Sequence, residues 1–103
     1  MKEVKALIQP FKLDAVLNAL HEVGNLPAVG VSSAEAVDTQ HDLFERWPRA
    51  KIELMVPDDL VEIVVAVIQT AAHTGNPGDG RIFVIPIEDC VVIRTGERGG
   101  SAR

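Results

Sequence analysis

Apolar residues along this chain change their spacing several times, and each change marks an element. Val4 to Ile8 is a short apolar run closed by Gln9-Pro10, the pattern of a buried strand. Leu13, Val16, Leu17, Leu20 and Val23 then recur at three- and four-residue intervals, the stripe of an amphipathic helix, and Gly24 stands where a C-terminal cap belongs. Val29 to Val37 reads as a second strand, rich in small residues. The polar stretch from Asp38 to Pro48 reads as a loop, and Lys51 to Val56, alternating and then fully apolar, as a third strand. Pro57-Asp58-Asp59 opens a second helix that runs to about His73. Asp59 and Glu62 have the spacing of a capping box, in which side chains satisfy amides that the first turn leaves free. Leu60, Val61, Ile63, Val64, Val67, Ile68 and Ala71 put apolar groups on most faces of this helix and predict packing on more than one side.

Thr74 to Gly80 is a cluster of breakers, Arg81 to Ile87 a further strand limited by Pro86, and Cys90 to Ile93 one more short apolar run. Residues from about 95 to 103 read as a polar, glycine-rich tail. The order is βαββαβ with a short C-terminal strand, an α+β plan in which two helices cover one face of an antiparallel sheet, as in ferredoxin-like sandwiches. One domain over residues 1–103 is expected from the length. The hydrophobic fraction of 47% supplies a core, and aromatics at 4% mean that Val, Ile, Leu and Ala must build it. So short a chain buries a small share of its surface, which makes oligomerisation a natural supplement.

A net charge of -5 argues against nucleic acid as the partner, since phosphate backbones select basic surfaces. Cys90 is the sole cysteine, which rules out an intrachain disulfide and a cysteine-rich zinc motif. No apolar run reaches the roughly 18–20 residues that cross a bilayer, and the first residues lack a signal-peptide core. A reduced, cytoplasmic protein without membrane insertion is expected. Ser32, Ser33 and Ser101 are the only serines, and nothing points to a Ser-His-Asp or Cys-His arrangement, so an enzyme is not expected. His21 and His73 look isolated, and Cys90 reads as a small packed hydrophobe.

The segment Thr74-Gly75-Asn76-Pro77-Gly78-Asp79-Gly80-Arg81-Ile82-Phe83 carries the most chemistry. Its three glycines allow a ligand to approach the main chain, exposed amides in such a turn can hold an anion, and Arg81 adds a fork suited to phosphate. Ile93-Arg94-Thr95-Gly96-Glu97 follows the last apolar run. With Ile8-Gln9-Pro10-Phe11-Lys12-Leu13-Asp14 and the stretch from Lys51-Ile52-Glu53 to Val56-Pro57-Asp58-Asp59, these segments resemble the PII signal-transduction (nitrogen regulatory) family over nearly the whole chain, except about Asn25 to Pro48.

That resemblance implies a homotrimer of ferredoxin-like subunits with an adenine nucleotide (ATP, ADP or AMP) in each inter-subunit cleft, controlling a target protein through a loop. Carried over, Gly78, Asp79, Gly80, Arg81 and Arg94 fall on phosphate-holding positions, Arg49 on a phosphate-side basic position and Glu53 on an acid near the adenine. There are departures. Val92 replaces the first arginine of a pair, and the loop after the second strand is shorter by roughly ten residues, in keeping with the variability of loops. The family's Gly-Phe-Gly-x-Gln sequence, whose glutamine helps coordinate magnesium and 2-oxoglutarate, has no counterpart, and the absence of tyrosine excludes uridylylation of one. Weak or altered nucleotide binding without 2-oxoglutarate sensing is expected.

The replacement loop, about 38–48, has features of its own. Asp38, His41, Asp42 and Glu45 stand three and four apart and would share a face if helical, a candidate site for a divalent metal. Phe44, Arg46 and Trp47 are candidates for partner contact. The competing reading is a trimeric metal-binding protein of the CutA kind, which shares the architecture. A mixed version is a divergent PII whose target is a membrane transporter handling metals or another solute.

Overall fold

The computed structural model describes residues 1–40 and 42–99. Strand β1 spans Lys2–Ile8, helix α1 Leu13–Val23, β2 Gly30–Asp38, β3 Glu45–Val56, α2 Val61–Ala72 and β4 Gly80–Pro86. One-turn 3-10 segments, Pro10–Lys12 and Asp58–Leu60, lead into the two helices. The strands form one antiparallel sheet in the order β2-β3-β1-β4, with both helices on one face, the ferredoxin-like plan that the periodicities predict.

Alternation along the inner strands decides which face is covered. Val4, Ala6 and Ile8 of β1, with Ile52, Leu54 and Val56 of β3, are buried beneath Val16 and Leu20 of α1 and Val64, Ile68 and Ala72 of α2. The intervening residues line the other face. Lys5 stands between Glu53 and Phe83 there, and Leu7 between Lys51 and Arg81. Gly24 ends α1 at φ 75°, a backbone conformation that glycine reaches without a Cβ penalty.

Four sequence expectations give way. The capping box does not form: neither Leu60, at the start of α2, nor Pro57, before the 3-10 turn, caps with its side chain, and the turn closes through the Leu60 amide to the Pro57 carbonyl. Asp58 instead accepts from the Met1 ammonium at 2.6 Å, which holds its carboxyl below the usual range. The supposed loop from Asp38 to Pro48 is strand at its two ends, at Asp38 and from Glu45 to Pro48. β2 and β3 pair out to Asp38 and Glu45, since Val37, Arg46 and Trp47 sustain the ladder despite the polar residues between them. Cys90 to Ile93 does not join the sheet. It enters a tight turn closed by a single bridge between Val91 and Arg98, and Arg98 forks onto Asp89. Finally, α2 is covered mainly on one side, and Ile63 stays 49% exposed.

That asymmetry yields a stability contrast. Ile68→Ala, at a fully buried position, should cost about 2–5 kcal/mol in denaturant unfolding. Ile63→Ala should cost less than about 1 kcal/mol.

Candidate functional site

The connection from α2 to β4 is held from both sides. On the helix side the Asp79 carboxylate turns back and accepts from the Thr74 amide at 2.7 Å, the Gly75 amide at 2.9 Å and the Thr74 hydroxyl. On the strand side Gly80 adopts φ 108°, and a Cβ there would run into the Leu7 carbonyl of β1. Gly78 is less constrained: a Cβ would come 2.9 Å from Gln9 Nε2, the end of a flexible side chain that can give way. These constraints bring Gly78, Gly80 and Arg81 to the border of a cavity of about 260 Å³ that Leu7, Ala36, Arg49 and Glu35, the last paired with Arg46, also line.

Arg49 reaches this cavity from β3, where its Nη1 donates to the Pro48 carbonyl at 2.8 Å and to Gln9 Oε1 at 3.3 Å. Among the described residues, Arg46 pairs with Glu35 and Arg98 with Asp89, whereas Arg49, Arg81 and Arg94 have no carboxylate within ion-pair distance. The two guanidinium groups that border the cavity therefore remain available to an external anion.

The other carried-over residues lie elsewhere. Glu53 sits four residues from Arg49 on the same sheet face, about 13 Å along the strand. There it meets Lys51 at 3.6 Å and Lys5 at 3.9 Å. Its carboxyl lies below the usual range, chiefly through a hydrogen bond with Glu3, with Lys51 and Lys5 adding attraction. Arg94 is exposed on the C-terminal turn, beside an apolar cavity of about 580 Å³ lined by Leu26, Pro27, Met55, Cys90, Val92 and Ile93. This second cavity lies where β1 begins and β4 ends, the Arg49–Arg81 cavity where β1 ends and β4 begins. Six residues of β1 separate them, about 20 Å.

The candidate metal ligands do not form a helical face, because the segment is strand, turn and strand. Asp38 and Glu45 stand opposite each other at the end of the ladder, and Asp38 accepts from the Gln40 amide at 2.8 Å. His41 lies outside the described residues, among which no three His, Cys, Asp or Glu side chains gather as a metal site would. Of the partner candidates, Phe44 and Trp47 are exposed, while Arg46 is held across the ribbon by Glu35 at 2.7 Å.

Sequence reasoning missed Leu7, Glu35, Ala36 and Pro77 at the Arg49–Arg81 cavity, and Gln9 as the partner of Arg49. Gln9 was legible as the first residue past a strand that ends beside the glycine loop; Ala36 follows only from the β2–β3 register. No helix is long and apolar enough to cross a membrane among the described residues.

The chain matches the family model described as Nitrogen regulatory protein P-II over residues 1–97. It is 46% identical to a protein named Nitrogen regulatory protein P-II from Azospirillum brasilense and 46% identical to one of the same name from Rhodospirillum rubrum. It is 39% identical to Nitrogen regulatory protein P-II 1 of Escherichia coli, and each match covers 99% of both chains. These alignments run over 112 positions against the 103 residues here, so several positions of each relative have no counterpart in this chain. The CutA-like alternative is not favoured by these matches.

Asp79 generates a pH prediction. Its carboxyl is lowered from 3.8 to about 2, first by the Thr74 hydroxyl, then by the Thr74 amide and, more weakly, the Gly75 amide. Since the folded pKa lies below the unfolded one, its contribution is present above about pH 4 and lost as pH falls through about 2. Asp79→Ala should therefore lose stability less steeply than the parent over that interval in acid-unfolding titrations.

Proposed function

Because the chain belongs to the nitrogen regulatory protein P-II family, whose members are regulatory signalling proteins that act through partners, we propose that it is a trimeric regulator that takes an adenine nucleotide in clefts between its copies. The observation that carries this reading is the separation of the two cavities. The apolar one beside Pro27, Met55 and Ile93 suits a base, and the one bordered by Arg49, Arg81 and the glycine loop suits phosphates. At about 20 Å along one strand they are too far apart to share a nucleotide within one chain. Two copies that set the base cavity of one against the arginine cavity of the next would complete a site.

The uncovered sheet face supports association. Phe83, Met55 and Leu7 lie on it among charges that already neutralise one another, Lys5 with Glu3 and Glu53, and Lys51 with Glu53. Burying such a face removes apolar area from water, and the two cations on it without a carboxylate, Arg49 and Arg81, would be met by the phosphates. The target protein would meet the end of the β2–β3 ribbon, where Leu43, Phe44 and Trp47 are exposed.

Light scattering should return a trimer at micromolar concentration, and calorimetry should show ATP, ADP or AMP binding. Arg81→Ala with Arg94→Ala should weaken ATP at least about tenfold, since each charged hydrogen bond is worth about 1.5–3 kcal/mol. A stable monomer, or equal affinity in the double variant, would sink the reading. Magnesium with 2-oxoglutarate should not tighten binding.

Trp47, the single tryptophan, stands opposite Ala36, which lines the arginine cavity. Its emission should shift when nucleotide binds. An unchanged spectrum at saturating ATP would show that the ribbon does not sense the site.

A further inference from the structure

Asp79 lies within the loop that the reading above assigns to phosphate, yet its carboxylate is taken up by Thr74 and Gly75 and not by an arginine. Along the chain, Gly78, Gly80 and Arg81 border the arginine cavity and Asp79 does not; Asp79 borders an adjoining groove with Gln69 and His73, which Gly80 and Arg81 also line. Its two oxygens already take three donors, the Thr74 amide, the Gly75 amide and the Thr74 hydroxyl, out of about four acceptor positions that a carboxylate offers. An ionised carboxylate has no proton to give a phosphate and repels it. Thr74 is committed too: while its hydroxyl donates to Asp79, its oxygen accepts from the Asn76 amide at 3.2 Å.

We propose that the Asp79 carboxylate does not touch the ligand, and that Asp79 is a positioning residue that, through Thr74, pins the glycine loop so that Gly78, Gly80 and Arg81 face the phosphates. This rests on the nucleotide reading and adds how that site is shaped. The pin acts on the helix side of the loop. The close approach of Gly80 to the Leu7 backbone acts on the strand side. With both in place, three glycines that would otherwise leave the segment free are restricted to one path, and ligand binding does not have to order it. Removing Asp79 releases the helix side alone and leaves the sheet and its core untouched.

The test compares ATP, ADP, AMP and adenosine by calorimetry on the parent, Asp79→Ala, Asp79→Asn, Thr74→Ala and Thr74→Ser. Asp79→Ala and Thr74→Ala should weaken ATP by about tenfold or more, with a smaller loss at each removed phosphate and adenosine nearly unaffected. Thr74→Ser keeps the hydroxyl and should restore ATP binding; Asp79→Asn, with one acceptor oxygen, should fall between. The loss should be the same with EDTA as with magnesium. In the ligand-free parent, hydrogen exchange should find the Thr74 and Gly75 amides protected. That protection should vanish in Asp79→Ala while the β1 amides keep theirs. Parent-like ATP affinity in Asp79→Ala would overturn the proposal. An equal loss for adenosine, or a loss seen only with magnesium, would do the same, the latter by showing that Asp79 holds a cation. A parent protein that binds neither ATP nor adenosine would defeat the nucleotide reading itself. In that case unprotected Thr74 and Gly75 amides would dispose of the pin independently.

Discussion

The arrangement depends on the register of β1 between β3 and β4. Val4, Ala6 and Ile8 are fully buried, and each is paired on both sides, Val4 with Leu54 and Val84, Ala6 with Ile52 and Ile82, Ile8 with Ala50 and Gly80. A slip of one residue on either side would carry a whole apolar set to the open face. The same register sets Leu7 between Lys51 and Arg81 and places its carbonyl where Gly80 must pass without a side chain. The packing of the core and the position of the glycine loop are therefore one constraint. A change in β1 that preserved hydrophobicity but shifted the strand would displace Arg81 as surely as it would open the core.

Charge is distributed with the same economy. The protein is acidic overall, at -5, and an arginine on such a surface ordinarily finds a carboxylate. Arg46 and Arg98 do, and both act within the chain, Arg46 across the ribbon to Glu35 and Arg98 across the C-terminal turn to Asp89. Arg49 and Arg81 are kept from doing so by their neighbours. Arg49 is occupied by neutral oxygens of Gln9 and Pro48, and the nearest acid of the loop, Asp79, is turned aside by Thr74 and Gly75. A carboxylate inside a glycine loop proposed to hold phosphate would be a liability if it faced the cavity. Satisfied by three local donors on the far side, it stiffens the loop without competing for the arginines.

Much of this was legible in the sequence, for identifiable reasons. The period of α1, the alternation in β3 and the apolar run of β1 are statements about burial, and burial depends on side-chain pattern. The glycine loop was legible because its residues are unusual together. Three features were not. The Asp59–Glu62 spacing is local, and the 3-10 turn at Asp58–Leu60 gave the amides another way to close. The stretch from Glu45 to Pro48 looks like loop because its charges and proline are poor strand formers, yet cross-strand pairing with Glu35, Ala36 and Val37 outweighs propensity. Cys90 to Ile93 has the composition of a strand, but the Gly96 amide bonds to the Val92 carbonyl and Val92 to Glu97, folding the run on itself. In each case the deciding partner lay outside the window being read.

The paired ribbon also limits how a signal could travel from the proposed site. A long flexible loop can respond to a ligand by becoming ordered, at a cost in conformational entropy of about 1–2 kcal/mol for each residue fixed. Here β2 and β3 are hydrogen-bonded out to Asp38 and Glu45, and the Arg46–Glu35 pair braces the middle, so that part of the arm is already ordered without a ligand. Ligand binding therefore has little entropy left to spend on that segment. What remains is a lever. Ala36 borders the arginine cavity, its cross-strand neighbour Trp47 lies on the same face, and Leu43 and Phe44 follow at the exposed end. A phosphate group held at the cavity wall by Ala36 would act on strands already paired with each other. A partner surface carried on an arm that is already paired would be displaced instead of being created and destroyed.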